Sequence, residues 1–490
     1  MTQTPSRRFA RITHALLAAP LLGASLSMAA AADSGRPQTG GDPAPVLITL
    51  HCDKPGITIP ADFLGLSYEK SALTETHFRA DNAPLVQLHR NLGAGVLRVG
   101  GNQVELCQWQ QAPAESPTGK STYAITPEKI DAFYGFARAI QWQVIHGVNL
   151  ASNTPALTAG EIAYALQVGG KSVQAFEVGN EPDHYAKDTK QLRAKGYDYA
   201  QYKGELKNAI DVILAKNPTA KLTGPATTSN DAAWFAPCLT DFKTKFAFAT
   251  SHFYPTSNQS KPPATIESLL GAKSEDKTQK ILQSHMADAR KAGMPYRMAE
   301  CNSASMGGTD GVSDVFAAAV WGSDFLFDVA EHGVAGINFH TGFKMRGYTA
   351  IGFEQNSGTY SARALYYAML LFKDAGQGKL IPVDIKTDSN VAAHATLGAD
   401  KKLRVVVVNK SLTQAARATV ITEPTRSHGD VRRLSAASPS EKEAISYGGS
   451  SVAADGTLTP YKPEPIRGTK GQFEITLPAC SAAVLTLVAP

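Results

Sequence analysis

Cysteine is scarce in this sequence: Cys52, Cys107, Cys238, Cys301 and Cys480 are the only five in 490 residues. They form no Cys-x-x-Cys pair and no Cys/His spacing suited to tetrahedral zinc, so neither a metal module nor a dense disulfide scaffold is in view. No metal or cofactor is expected. No internal run of about 18 apolar residues occurs, which argues against a membrane span in the mature chain. No Gly-x-Gly-x-x-Gly follows the first strand-like run, which removes the dinucleotide fingerprint. No repeat of fixed period suggests a solenoid. Charge of one sign is lacking too. The net charge of +5 includes Arg7, Arg8 and Arg11 of an acid-free leader, and setting these aside leaves +2. That balance is too even for bulk nucleic-acid binding, and no nucleic-acid partner is expected.

What is present describes a globular chain. Apolar residues make up 43% and charged residues 19% of it, ample for a core and unlike disorder. Residues 1–32 read as a signal peptide: three arginines, an apolar stretch over 15–28, and a small-residue tract over 29–32 with an A-x-A site. The chain is therefore expected to be exported, periplasmic or secreted. An uncleaved N-terminal anchor is the alternative. Residues 33–45 read as a Gly/Pro-rich linker.

From there strand-like runs alternate with amphipathic helical stretches. Eight runs are expected at 63–69, 95–100, 143–149, 173–181, 221–226, 246–255, 295–302 and 333–342. Alternation of this kind implies a parallel sheet with both faces covered, and eight units favour a closed (β/α)8 TIM barrel over residues 61–378. An open doubly wound sheet is the alternative. Beyond residue 378 the texture changes to short β-type runs separated by polar turns. A β-sandwich is expected over 379–490, with residues 46–60 adding N-terminal strands to it.

Two glutamates stand out by position. Glu181 lies in Phe176-Glu177-Val178-Gly179-Asn180-Glu181-Pro182 at the end of the fourth expected barrel strand, and Glu300 in Met298-Ala299-Glu300-Cys301-Asn302 at the end of the seventh. Barrel enzymes hold their chemistry at the C-terminal strand ends, and strands four and seven face each other across the mouth. A carboxyl pair flanking a glycosidic bond can supply an acid and a nucleophile or base. Arg98, in the second strand, shares a face with Asn102 by the period of two. Buried beside Glu300, it would keep that carboxylate ionised. Glu181, near the anionic Glu300, is expected to have a raised pKa and to remain protonated.

Gly179-Asn180-Glu181-Pro182 together with Ala299-Glu300 resembles the retaining glycosidases whose acid/base follows strand four and whose nucleophile follows strand seven. Leu64-Gly65-Leu66-Ser67-Tyr68-Glu69, Leu97-Arg98-Val99-Gly100-Gly101-Asn102 and Ser251-His252-Phe253-Tyr254 narrow the likeness. They resemble family 79 of the glycoside hydrolases, the β-glucuronidases and heparanase-like enzymes, over nearly the whole mature chain. The resemblance implies Glu181 as acid/base, Glu300 as nucleophile, and Asn180 as the partner of the sugar 2-hydroxyl. It implies Glu69, Asn102, Tyr254 and Tyr348 as groups lining the glucuronate subsite. The partner would be a uronate-containing oligo- or polysaccharide such as heparan sulfate.

One departure bears on selectivity. The family usually carries an aromatic before a Gly-Gly in the loop after the nucleophile, whereas here the loop reads Ser303-Ala304-Ser305-Met306-Gly307-Gly308. Backbone donors at Gly307 and Gly308, with the Tyr348 hydroxyl, are expected to receive the uronate carboxylate instead. Lys187, Lys190, Arg193 and Lys195, with Lys344 and Arg346, are expected to make the catalytic face locally basic and to act outside the bond-breaking step. Cys52 and Cys480 either bridge within the sandwich or remain two thiols. The competing functions are a barrel-plus-sandwich glycosidase for a xyloside or arabinoside, and a carbohydrate-binding protein without turnover.

Overall fold

The computed structural model describes residues 42–111, 117, 119–228, 232–343 and 347–489. The expected signal peptide and residues 33–41 of the expected linker lie outside this range, as do Lys344 and Arg346.

A first strand, β1 (Ala44–Leu50), begins inside the stretch expected to be linker and alternates buried and exposed residues, the period-two signature of a half-covered sheet. The barrel follows: β2 (Gly65–Glu69), β3 (Val96–Gly100), β4 (Gln143–Val148), β5 (Val173–Val178), β6 (Leu222–Thr227), β7 (Phe246–Phe253), β8 (Tyr296–Cys301) and β9 (Ile337–Thr341). These eight parallel strands close on themselves in sequence order, with β9 pairing back onto β2. All eight expected runs contribute a strand. β3, β8 and β9 are buried at every position, because the barrel interior covers one face and the helical ring the other.

Helix boundaries follow local chemistry. Pro155 occupies the first turn of Pro155–Gly169, where the Thr154 hydroxyl accepts the Leu157 N–H. Asp198 and Gln201 form a reciprocal capping box ahead of Tyr199–Lys216. Helix Phe316–Glu331 is buried almost all round, because it is wedged between the barrel and the sandwich.

After the barrel come β10 (Val383–Lys386), β11 (Val391–Leu397), β12 (Leu403–Asn409), β13 (Ala416–Ile421), β14 (His428–Ser435), β15 (Gln472–Leu477) and β16 (Ser481–Val488). One sheet has the order β10–β1–β13–β15, and the larger one has β11–β12–β16–β14 at its centre. Their inner faces share a core that includes Val46, Ile48, Val405, Val420, Phe473 and Leu485. Because β1 lies between β10 and β13, the chain leaves the sandwich, builds the barrel and returns.

No disulfide joins Cys52 to Cys480. Cys52 faces the Thr422 hydroxyl at 3.8 Å at the periphery of the inter-sheet core, whereas Cys480 packs into the barrel-side core. The two sulfurs therefore belong to different layers.

Candidate active site

The site is organised around Arg98 of β3, which is fully buried at the C-terminal end of the barrel. Its Nη1 donates to Glu300 Oε2 at 2.8 Å and to the Ser67 hydroxyl at 2.9 Å. Its Nη2 donates to Asn180 Oδ1 at 2.9 Å, and Nε to Glu177 Oε2 at 2.7 Å. A buried guanidinium this fully paired is a rigid anchor, since each of its donors has a fixed direction. Gly100 is small for this reason: a Cβ there would press on the guanidinium.

Nη2 also lies 3.2 Å from His252 Nε2 on β7. A guanidinium can only donate, so His252 Nε2 accepts and the ring proton sits on Nδ1. That Nδ1 faces Glu181 Oε1 at 3.1 Å. One arginine thus touches Glu300 directly and Glu181 through a histidine. A carboxylate oxygen of Glu181, one of Glu300 and a ring nitrogen of His252 all lie within 4.8 Å of one another.

Glu300 is set for ionisation. Its Oε1 accepts from the Tyr254 hydroxyl at 2.8 Å. His340 Nδ1 approaches Oε2 to 3.6 Å. Burial opposes charge, but the positive charges of His340 and Arg98 outweigh it and draw the carboxyl down to about 2.

Glu181 departs from expectation twice. β5 stops at Val178, and Glu181 lies beyond it in the left-handed region at φ 49°, instead of the extended form usual before proline. A non-glycine residue in this region carries backbone strain of about 1–3 kcal/mol. Here the Glu181 N–H donates to the Ala226 carbonyl at 2.9 Å, which helps to hold the turn. The second departure is electrostatic. Burial pushes the carboxyl up, but Lys190, His184 and His252 overcome it and hold Glu181 well below the usual carboxylate range, not above it. Lys190 Nζ reaches Oε2 at 3.1 Å and His184 Nδ1 lies 3.5 Å from the same oxygen.

The remaining expected residues gather around this centre. Glu69 ends β2, accepts the Gln103 N–H at 2.8 Å and faces His340 Nε2 at 3.7 Å. Gly101 (φ 70°) presses so closely on Glu69 that any Cβ would collide with its carboxylate. Asn102 is exposed and lies on a short 3-10 turn beyond β3, with its Oδ1 3.4 Å from Asn180 Nδ2. Tyr254 and Tyr348 stack at 6.1 Å, and the Tyr348 N–H points at the Gly307 carbonyl at 3.4 Å. Gly307 and Gly308, both at φ 89°, therefore lie directly against Tyr348.

The basic loop is not uniformly peripheral. Lys187 and Lys195 are exposed, but Lys190 turns inward onto Glu181. Arg193 is a brace, paired with Glu205 at 2.8 Å and lying over the rings of Tyr185 and Tyr197.

Four groups were not singled out from sequence. His252 and His340 line the carboxylates. Glu177 pairs with Arg98 at 2.6 Å. Glu105 accepts the N–H of Asn180 at 3.0 Å, of Leu150 at 3.0 Å and of Ala151 at 2.8 Å, together with the Tyr185 hydroxyl, tying the turn before Glu181 to the loop after β4. His252 was legible: period two puts it on the same face as Tyr254. Glu105 carried no local signal.

Comparison with known proteins agrees with this architecture. The chain matches no protein-family model. It is 24% identical over 309 residues to a β-glucuronidase of Neurospora crassa, covering 55% of this chain and 54% of that protein. It is 24% identical over 456 residues to a β-glucuronidase of Aspergillus niger, covering 80% and 83%. The chain thus matches about half the length of the first relative and most of the second. Among solved structures, a 4-O-α-L-rhamnosyl-β-D-glucuronidase from Fusarium oxysporum 12S superposes with a TM-score of 0.77 at 20% identity, over 90% of this chain and all of that one. A family 51 arabinofuranosidase from Xanthomonas axonopodis pv. citri superposes at 0.68 and 16% identity, over 91% and all of it. The fold is that of the TIM-barrel glycoside hydrolases with additional sheets.

Proposed function

We propose that this protein is a retaining β-glucuronide hydrolase. The observation that carries the reading is the placement of Glu181 and Glu300 on one buried arginine–histidine unit, with one carboxylate oxygen of each within 4.8 Å of the other. Retaining glycosidases need carboxyl groups about 5–5.5 Å apart, whereas inverting ones keep about 6.5–9.5 Å for an intervening water. The names of the relatives support glucuronide as the sugar.

In the first step Glu300, held ionised, attacks the anomeric carbon while Glu181 gives its proton to the departing glycosidic oxygen. In the second, Glu181 takes a proton from the water that attacks the same carbon and releases Glu300. Tyr254 steadies the nucleophile through Oε1, leaving Oε2 to Arg98. The uronate carboxylate meets the Gly307–Gly308 backbone and the Tyr348 hydroxyl. Export through residues 1–32 would bring the enzyme to extracellular or periplasmic uronate-containing polysaccharide, heparan-sulfate-like chains included.

A neutral pentoside is the second reading, favoured by one observation: Ser305 and Met306 stand where the family places its aromatic. Initial rates on aryl β-glucuronide, β-xyloside and α-arabinofuranoside decide between them. A mechanism-based fluoroglucuronide should leave a covalent adduct on Glu300, detectable by mass spectrometry. Product stereochemistry with an inverted anomeric centre would reject the double displacement.

A further inference from the structure

Lys190 occupies an unusual place for a loop lysine. It lies on the far oxygen of the acid/base: Nζ is 3.1 Å from Glu181 Oε2 and 3.4 Å from the Asn180 carbonyl. His252 takes the opposite oxygen, Oε1, and stands on the side of Glu300, 3.9 Å from its Oε2. Lys190 is therefore on the side away from the nucleophile, where the leaving group must sit if Glu181 is to protonate the glycosidic oxygen. Its side chain is 12% exposed, open enough to meet a ligand.

This contact conflicts with the task of an acid. A carboxylate beside an ammonium keeps its negative charge, and general acid catalysis needs the proton. The other groups facing Glu181 do not remove the conflict. His184 is near Oε2, with Asp183 behind it at 3.7 Å, and His252 is on Oε1 with Arg98 beyond it. Glu300 and the Tyr254 hydroxyl lie across the site. Lys190 is the one full cation in direct contact with Glu181 among the described residues.

We propose that Lys190 is a specificity-determining residue that reads a carboxylate or sulfate on the leaving-group side and, by moving to it, frees Glu181 to take up the proton it must donate. This deepens, and rests on, the glycosidase reading of the same carboxylate pair. Without Lys190 on it, Glu181 keeps His184 and His252 beside it but loses its one ammonium contact, and burial with anionic Glu300 close by weighs toward the neutral form. An anionic aglycone would thus bind more tightly and also switch on its own proton donor. After the aglycone departs, Lys190 can return to Glu181, which must then be ionised to accept the proton of the attacking water. A neutral aglycone makes no such exchange.

The test compares phenyl and 3-carboxyphenyl β-glucuronide, whose phenols leave with similar difficulty and need protonation. The wild type, Lys190→Met and Lys190→Arg are assayed for kcat/KM against pH. In the wild type the carboxylated substrate should be favoured by about tenfold or more, the scale of one charge-assisted hydrogen bond. Lys190→Met should lose that preference and move the alkaline limb for the neutral substrate to higher pH by about one unit or more, while Lys190→Arg should keep the preference. A merely structural lysine would lower both substrates equally and leave the limb in place, which would overturn the proposal. A second measurement needs no turnover: 13C NMR titration of the Glu181 carboxyl in wild type and Lys190→Met. An unchanged midpoint overturns the coupling. A raised midpoint without glucuronidase activity would instead place the failure in the glucuronide reading.

Discussion

The Arg98 guanidinium lies 3.2 Å from His252 Nε2, and this contact fixes which carboxylate receives the histidine's proton. Because arginine cannot accept a hydrogen bond, the imidazole must direct its Nδ1–H toward Glu181 Oε1. The two carboxyls at the barrel mouth are thus held by one buried cation, Glu300 directly and Glu181 at one remove.

The assigned roles separate when the leaving group is varied. Glu300→Gln should abolish turnover of every glycoside. Glu181→Ala should lose about 10²–10⁴-fold on an alkyl or polysaccharide substrate and much less on a nitrophenyl glucuronide, which departs without a proton. Equal losses on both substrates, read from steady-state kcat/KM, would show that Glu181 is not the acid.

His252→Ala removes the link between Arg98 and Glu181. It leaves Nη2 with one partner fewer and lets the strained Glu181 turn relax. We expect kcat to fall by about 10–100-fold with a smaller change in KM, the scale of a lost hydrogen bond to a charged group. Retention of full kcat would show that Lys190, His184 and the backbone suffice to hold Glu181 in place.

Glu300 also ties stability to acid pH. Its carboxyl is drawn down to about 2 in the folded protein from an ordinary 4.5. Above about pH 4.5 it is ionised folded or unfolded, and its stabilising contribution is complete. Between 4.5 and 2 the unfolded chain binds the proton first, so stability is lost as pH falls through this window. The urea midpoint of Glu300→Gln should therefore decline less between pH 5 and pH 3 than that of the wild type.

Substrate recognition should divide into a pocket and a rim. Tyr348→Phe should lower kcat/KM on phenyl glucuronide by about tenfold while sparing the residual rate on phenyl glucoside, because a neutral sugar never used that hydroxyl. Neutralising exposed Lys187 and Lys195 should spare phenyl glucuronide and weaken polysaccharide cleavage. Polysaccharide turnover should fall more steeply with added salt, since exposed charges are screened over about 8–10 Å. Equal salt dependence for the two substrates would remove the rim from recognition.

Much of the fold could be read along the chain. Alternating strand-like and helical runs are a local pattern, and covering both sheet faces is its necessary consequence, so all eight barrel strands were legible from residues such as those of Val96–Gly100 and Ile337–Thr341. The positions of Glu181 and Glu300 were legible for the same reason, since one lies just beyond a barrel strand and the other near the C-terminal end of one, and strand ends meet at the barrel mouth. The sequence by itself also set Arg98 on the inner face, by period two. Tertiary structure decided what distance along the chain conceals. The sign of the Glu181 shift depends on Lys190, nine residues on, folding back over the site, and loop conformation has no period to read. The role of His252 depends on a contact with Arg98, 154 residues away. Glu105 matters only because the loops after three strands converge on it. Cys52 and Cys480 flank strands of one sandwich yet face different cores, a matter of which side of a sheet each points to once the sheets are packed.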